Sequence, residues 1–246
     1  MQRLLAAAVL GSFAAATGAE DAVARFYGYA YHLDSGRYAF TQILEQRQVG
    51  GQWVDASTVY YLPDGSEFGR KTLDFSRDPF VPVYRLELKD GHAEGISDNG
   101  GRIAMSREFR GKVESGTAEK TGVTTADAGL SRLLHAHFEE LRRGETLAFR
   151  VVAPSRLATY RFRARRAEDA MFEGKAAVRI QVDMDSMLRM LAGPLFFTFD
   201  PQSVKLLEFR GPTNVVDPST GEPFKVRISY YSAPPGDVPV LPPLPK

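Results

Sequence analysis

One stretch, Thr124–Gly144 (TTADAGLSRLLHAHFEELRRG), reads as a helix with both ends marked, and the tracts on either side of it read as strand. Apolar residues recur at Leu130, Leu133, Leu134, Phe138 and Leu141, the spacing of a helix that buries one face. Thr124 with Asp127 three residues on supplies a start signal. Arg142, Arg143 and Gly144 supply an end, where the helix dipole favours cations and glycine tolerates left-handed geometry. A lone amphipathic helix needs a surface to cover. The expected fold is mainly β (α+β): a large curved antiparallel sheet, or incomplete β-barrel, covered by this central helix and a short second one.

The strand signals are turn triplets between aromatic, alternating runs. Asp34-Ser35-Gly36 separates RFYGYAYHL from RYAFTQILEQR, a hairpin pattern, and Pro63-Asp64-Gly65 and Lys89-Asp90-Gly91 punctuate the runs that follow. Residues Gly91–Gly101 read as a polar, glycine-rich segment and Gly111–Gly122 as an exposed loop. After Gly144 strands resume, and Asp183–Ala192 (DMDSMLRMLA) interrupts them with Met184, Met187, Leu188 and Leu191 at helical spacing. Ala233–Lys246 holds six prolines in fourteen residues, so it is expected as a flexible or extended tail outside the sheet. The anticipated organisation is residues 1–19 as a signal peptide, 20–232 as a single β-rich domain, and 233–246 as the tail.

The signal-peptide reading rests on Arg3, the apolar run Leu4–Ala16 and the small residues Thr17-Gly18-Ala19. That run is shorter than the roughly 20 residues a membrane-spanning helix needs. Secretion, periplasmic location and a soluble mature chain are the corresponding expectations. There is no cysteine, which removes disulfides, thiolate nucleophiles and thiolate metal sites. Without residues 1–19 the chain carries 30 basic and 30 acidic side chains. Such neutrality argues against nucleic acid as a partner.

Catalytic signatures are sparse. His135 and His137 are two residues apart, so a helix points them in different directions. Gly91-His92-Ala93-Glu94-Gly95 has the outline of a nucleophile turn without its central serine, and no phosphate loop, dinucleotide fingerprint or His-Glu-x-x-His helix occurs. Asp183 and Asp185 are read as a cap at a strand-to-helix junction. No catalytic residue, metal or cofactor is therefore assigned. Arg161, Arg163 and Arg165 alternate with Tyr160, Phe162 and Ala164, which puts three guanidinium groups on one strand face as a candidate anion-facing patch. Leu130, Leu134 and Phe138, with Met184, Met187 and Leu188, are the candidate ligand-binding residues, because thioether and branched side chains make an adaptable apolar wall.

The order of elements, a β-meander, one helix across it, further strands and a late short helix, is similar to the architecture of periplasmic lipoprotein carriers. The segments Val83–Gly95 (VYRLELKDGHAEG) and Phe209–Asp217 (FRGPTNVVD) also resemble an uncharacterised family of secreted proteobacterial proteins. The carrier resemblance implies an acyl chain held between sheet and helix, and the second family supplies no catalytic residues.

Together these readings predict a periplasmic, non-catalytic binding protein for an apolar or acyl-chain ligand, lipid or lipoprotein-like. An envelope protein-interaction module that uses the sheet face or tail is the alternative. A hydrolase built on His92 or His137 with a neighbouring carboxylate is the third. The helix is then either a plug or a lid, and a carrier needs a cavity of at least several hundred Å³ beneath it.

Overall fold

The computed structural model describes residues 21–50, 52–185 and 193–241. The segment expected as a signal peptide lies outside them, as do Met187 and Leu188 and most of the expected short helix.

The N-terminal half is a meander. β1 (Ala22–His32) and β2 (Tyr38–Val49) form the hairpin expected about Asp34-Ser35-Gly36, with Ala22 opposite Gln48 and Ala30 opposite Phe40. β3 (Gln52–Tyr61) and β4 (Glu67–Asp74) follow about Pro63-Asp64-Gly65, then β5 (Val83–Leu88) and β6 (His92–Asn99) about Lys89-Asp90-Gly91. β7 (Arg102–Phe109) and β8 (Lys112–Glu119) complete it. The polar, glycine-rich segment and the segment expected as a loop are thus largely strand. β6 directs Glu94 and Ile96 inward, and β8 is a polar edge strand paired to β7 alone. A charged, little-buried sequence suits an edge, because it discourages pairing with another chain. That same polarity hides β8 from hydrophobic patterning.

The helical stretch also differs from expectation. Thr124–Ala126 is a short strand, β9, lying parallel to Arg150–Val152 of β10 (Leu147–Ala153). The helix begins only at α1 (Gly129–Ala136), breaks at His137, and resumes as α2 (Phe138–Arg142). Thr124 is therefore no cap. Two adjacent β-branched threonines favour the strand, and the Thr125 hydroxyl and Ala126 N–H both donate to the Phe80 carbonyl. That carbonyl also sits where a side chain on Gly129 would be, 1.9 Å from an added Cβ. Only glycine allows α1 to start there.

After a 3-10 turn at Pro154–Arg156 come β11 (Ala158–Arg166), β12 (Ala170–Phe172), β13 (Lys175–Met184), β14 (Leu195–Phe199), β15 (Leu206–Val216) and β16 (Pro223–Ser229). Met184 is the last residue of β13 and pairs with Phe162. Asp183 belongs to the same strand rather than to a helix cap. It accepts from the Gln181 amide at 2.9 Å and pairs with Arg165 at 3.3 Å.

β16 pairs with β1, which joins both halves into one sheet running from β8 through β1 and β16 to β10 and β9. The sheet curls until its ends meet without hydrogen-bonding as a ladder. Arg107 donates to the Ser155 carbonyl at 2.8 Å, and Leu157 packs over Gly116 of β8. The result is one large open, barrel-like sheet with two helices against it. Its interior splits into two apolar clusters. One gathers Phe40, Tyr60, Phe68, Leu86 and Ile103 from the meander, and the other gathers Leu133, Leu134, Phe138, Leu141, Ile180 and Phe199 around the helices.

Candidate functional site

Between the two clusters lies a cavity of about 790 Å³. Phe40, Leu73 and Phe75 wall it on the meander side, and Leu195, Phe197 and Leu206 on the other. α1 and the residue before it contribute Ala128, Ser131, Arg132 and His135, spaced i, i+3, i+4 and i+7, with Leu130 beside them. The helix therefore presents two faces. Leu133, Leu134, Phe138 and Leu141 are at most 1% exposed and fill the second cluster, while the neighbouring stripe looks into the cavity.

The candidate ligand-binding residues separate accordingly. Leu130 lines the cavity. Leu134 and Phe138 sit in packed core, and Met184 lies at the end of β13 away from the cavity lining.

The polar part of the cavity wall is a buried cluster that no sequence motif marks. Lys71, on β4, places its ammonium 2.9 and 2.8 Å from the two carboxylate oxygens of Asp127, in the turn between β9 and α1. Both side chains are at most a tenth exposed. The Asn214 amide, at the irregular centre of β15, donates to Asp127 Oδ2 and to Glu94 Oε1, each at 2.8 Å. The Tyr84 hydroxyl donates to the same Glu94 oxygen at 2.9 Å. One ammonium thus faces two carboxylates, tied together by an amide that belongs to the far half of the sheet.

Burial dominates the electrostatics. It works against the Lys71 charge, but the Asp127 carboxylate and the Tyr60 hydroxyl together outweigh it and hold the ammonium pKa above its ordinary value. Burial raises the Glu94 carboxyl above the usual carboxylate range despite the hydrogen bonds from Asn214 and Tyr84. It also raises the phenols of Tyr60 and Tyr84, and that of Tyr230 to about 12. The cluster can lock the β9–α1 turn to the sheet and offer hydrogen-bonding groups to a cavity occupant.

Arg132 also lines the cavity, without an ion-pair partner among the described residues. The Arg132 guanidinium lies 3.9 Å above the Phe75 ring, and its buried Nη2 has no hydrogen-bond partner among the described residues. Burial lowers its pKa to about 10, so it remains a cation at neutral pH.

The other candidates lie elsewhere. His92 pairs with Asp90 at 2.8 Å and stacks on Phe109, and His137 pairs with Glu140 at 2.5 Å. Each has a carboxylate beside it, but neither lines the cavity. Among the described residues no group of three His, Asp or Glu is placed to hold a metal ion, and no helix is long and apolar enough to cross a membrane. Arg161, Arg163 and Arg165 share the face opposite the apolar interior. Sheet register sets Arg150 opposite Arg161 and Asp183 opposite Arg163, and Arg179 lies on the same face of β13. Of the tail, the Tyr31 hydroxyl donates to Asp237 at 3.0 Å and Leu241 packs against Ile43, Val59 and Tyr61.

No family model and no curated protein matches the chain. Among solved structures it is similar to a β-barrel-like protein of a domain of unknown function, DUF1849, from Brucella abortus. The TM-score is 0.46 at 9% identity, covering 83% of this chain and 94% of that one.

Proposed function

We propose that this chain is a non-catalytic binding protein of the cell envelope that holds an apolar or acyl-chain ligand between α1 and the sheet. The supporting observation is the cavity itself. Its volume of about 790 Å³ lies within the roughly 300–1,000 Å³ of small-molecule sites, and its walls combine apolar side chains with a few convergent polar groups. A ligand in this position is what the sequence resemblance to periplasmic lipoprotein carriers implies. The contacts of Asp237 and Leu241 with their own sheet favour the cavity over the tail as the binding element.

Native mass spectrometry of the full chain, before and after lipid extraction, tests the proposal. The expected result is an adduct of lipid mass that extraction removes and added lipid restores. Ala56, buried in the cavity wall, is the site for a filling variant. Ala56→Phe should melt cooperatively and lose uptake. A folded protein that never retains or accepts lipid, or an Ala56→Phe variant that takes it up unchanged, would overturn the reading.

A further inference from the structure

We infer that the occupant of the cavity is an amphiphile with an oxyanion headgroup, which Arg132 grips while the chain lies along the apolar walls. This rests on the cavity being a ligand site and adds the headgroup chemistry. The cavity wall holds two carboxylates, and both are engaged: Asp127 by Lys71 and Asn214, Glu94 by Asn214 and Tyr84. Arg132 is different. No ion pair reaches it among the described residues, and its Nη2 is buried without a partner.

A buried donor left unpaired is costly, so an occupant that satisfies it binds better than one that does not. The guanidinium is a planar fork whose N–H pairs match carboxylate and phosphate oxygens two at a time. The guanidinium carbon lies 3.9 Å over the Phe75 ring, which holds the fork at the cavity wall. Ser131 and His135 flank Arg132 on the cavity face of α1, and Lys205 adds a further cation to the lining, exposed and without a carboxylate partner among the described residues. The unpaired charge of the cavity is therefore positive. A cationic headgroup would meet Arg132 as a like charge, and a neutral one would leave it partly unpaired.

Trp53 reports on the site, because it is the chain's only tryptophan and lines the cavity. The delipidated full chain is titrated with four ligands of equal chain length: tetradecanoate, tetradecanoyl lysophosphatidate, monotetradecanoyl glycerol and tetradecyltrimethylammonium. Both oxyanion ligands should bind roughly tenfold more tightly than the neutral one, the scale of one charge-assisted hydrogen-bond pair. Whichever of the two binds more tightly identifies carboxylate or phosphate as the source. Arg132→Gln should abolish that preference, and Arg132→Lys should retain part of it. Equal binding of neutral and anionic ligands, or a preference that survives Arg132→Gln, overturns the inference and leaves the cavity reading standing. Failure of all four to bind overturns both.

Discussion

Removing the Lys71 ammonium is the sharpest test of how the cavity is held open. At 2.8 Å and an effective dielectric of about 20, its attraction to Asp127 is about 6 kcal/mol, most of which offsets the cost of taking two ions out of water. The pair as a whole is thus nearly neutral for stability, but breaking it is not. Lys71→Met leaves Asp127 and Glu94 buried together with no cation between them, a loss of about 4 kcal/mol on the scale of broken buried ion pairs. For a chain of this size that corresponds to a melting temperature lower by roughly 8–16 °C. Asp127→Asn removes the other partner and tolerates the same left-handed backbone, φ 45°. It leaves Lys71 within the field of Glu94, so its loss should be smaller. Combining the two should cost clearly less than the sum, with a coupling of about 2 kcal/mol. Urea denaturation of all four proteins measures this. Equal single losses, losses under about 1 kcal/mol, or strict additivity would refute the account of one ammonium balancing two carboxylates.

Three further outcomes follow from the same packing. Gly129→Ala should destabilise by about 1–3 kcal/mol despite alanine's better helix propensity, because its Cβ would fall 1.9 Å from the Phe80 carbonyl oxygen; a gain in melting temperature would refute that close approach. Leu134→Ala should cost about 4 kcal/mol and Leu130→Ala about 2, since Leu134 is fully packed whereas Leu130 already borders empty space; chemical denaturation giving the reverse order would contradict the two-faced helix. Glu94 has a folded pKa raised above its unfolded value, so its contribution is fully present below the unfolded carboxyl pKa and is lost as pH rises through the folded one. Glu94→Gln should therefore gain in melting temperature relative to the parent between pH 4 and pH 8, and a pH-independent difference would exclude burial of the ionised carboxylate as the cause.

Where a signal is periodic and apolar, the chain declares its fold. The stripe Leu130, Leu133, Leu134, Phe138 and Leu141 is buried as its spacing requires, and the three turn triplets sit at hairpins. Helix boundaries are less legible. Thr124 and Asp127 have the spacing of a cap, yet the strand hydrogen bonds of Thr124–Ala126 are tertiary, made with β10 and Phe80, and no local pattern encodes them. The polar cluster escapes notice for a related reason. A lysine or glutamate in a strand is by default on the solvated face, and only its parity says otherwise. Lys71 shares parity with the buried Leu73, and Glu94 with the buried Ile96. That alternation is the available signal. Asn214 has none, because the register of β15 shifts around it between Pro212 and Val216.

The opposition of plug and lid dissolves once both faces of α1 are considered. A helix that only plugged the sheet would bury one stripe and leave the rest to solvent, and one that only covered a ligand would depend on that ligand for its position. Here Leu133, Leu134, Phe138 and Leu141 anchor the helices in the second cluster, and Lys71 with Asn214 fixes the turn that precedes them. Those attachments come from β4, β13, β14 and β15, elements on both sides of the cavity. The stripe Ala128, Ser131, Arg132 and His135 is consequently held over open space chiefly by contacts that its neighbours make. A wall positioned in this way needs no occupant to keep its shape, so ligand binding would not have to supply the ordering of the helix. The melting temperature of the lipid-free chain should then stay high, with bound ligand adding only the mass-action increment set by its concentration and affinity.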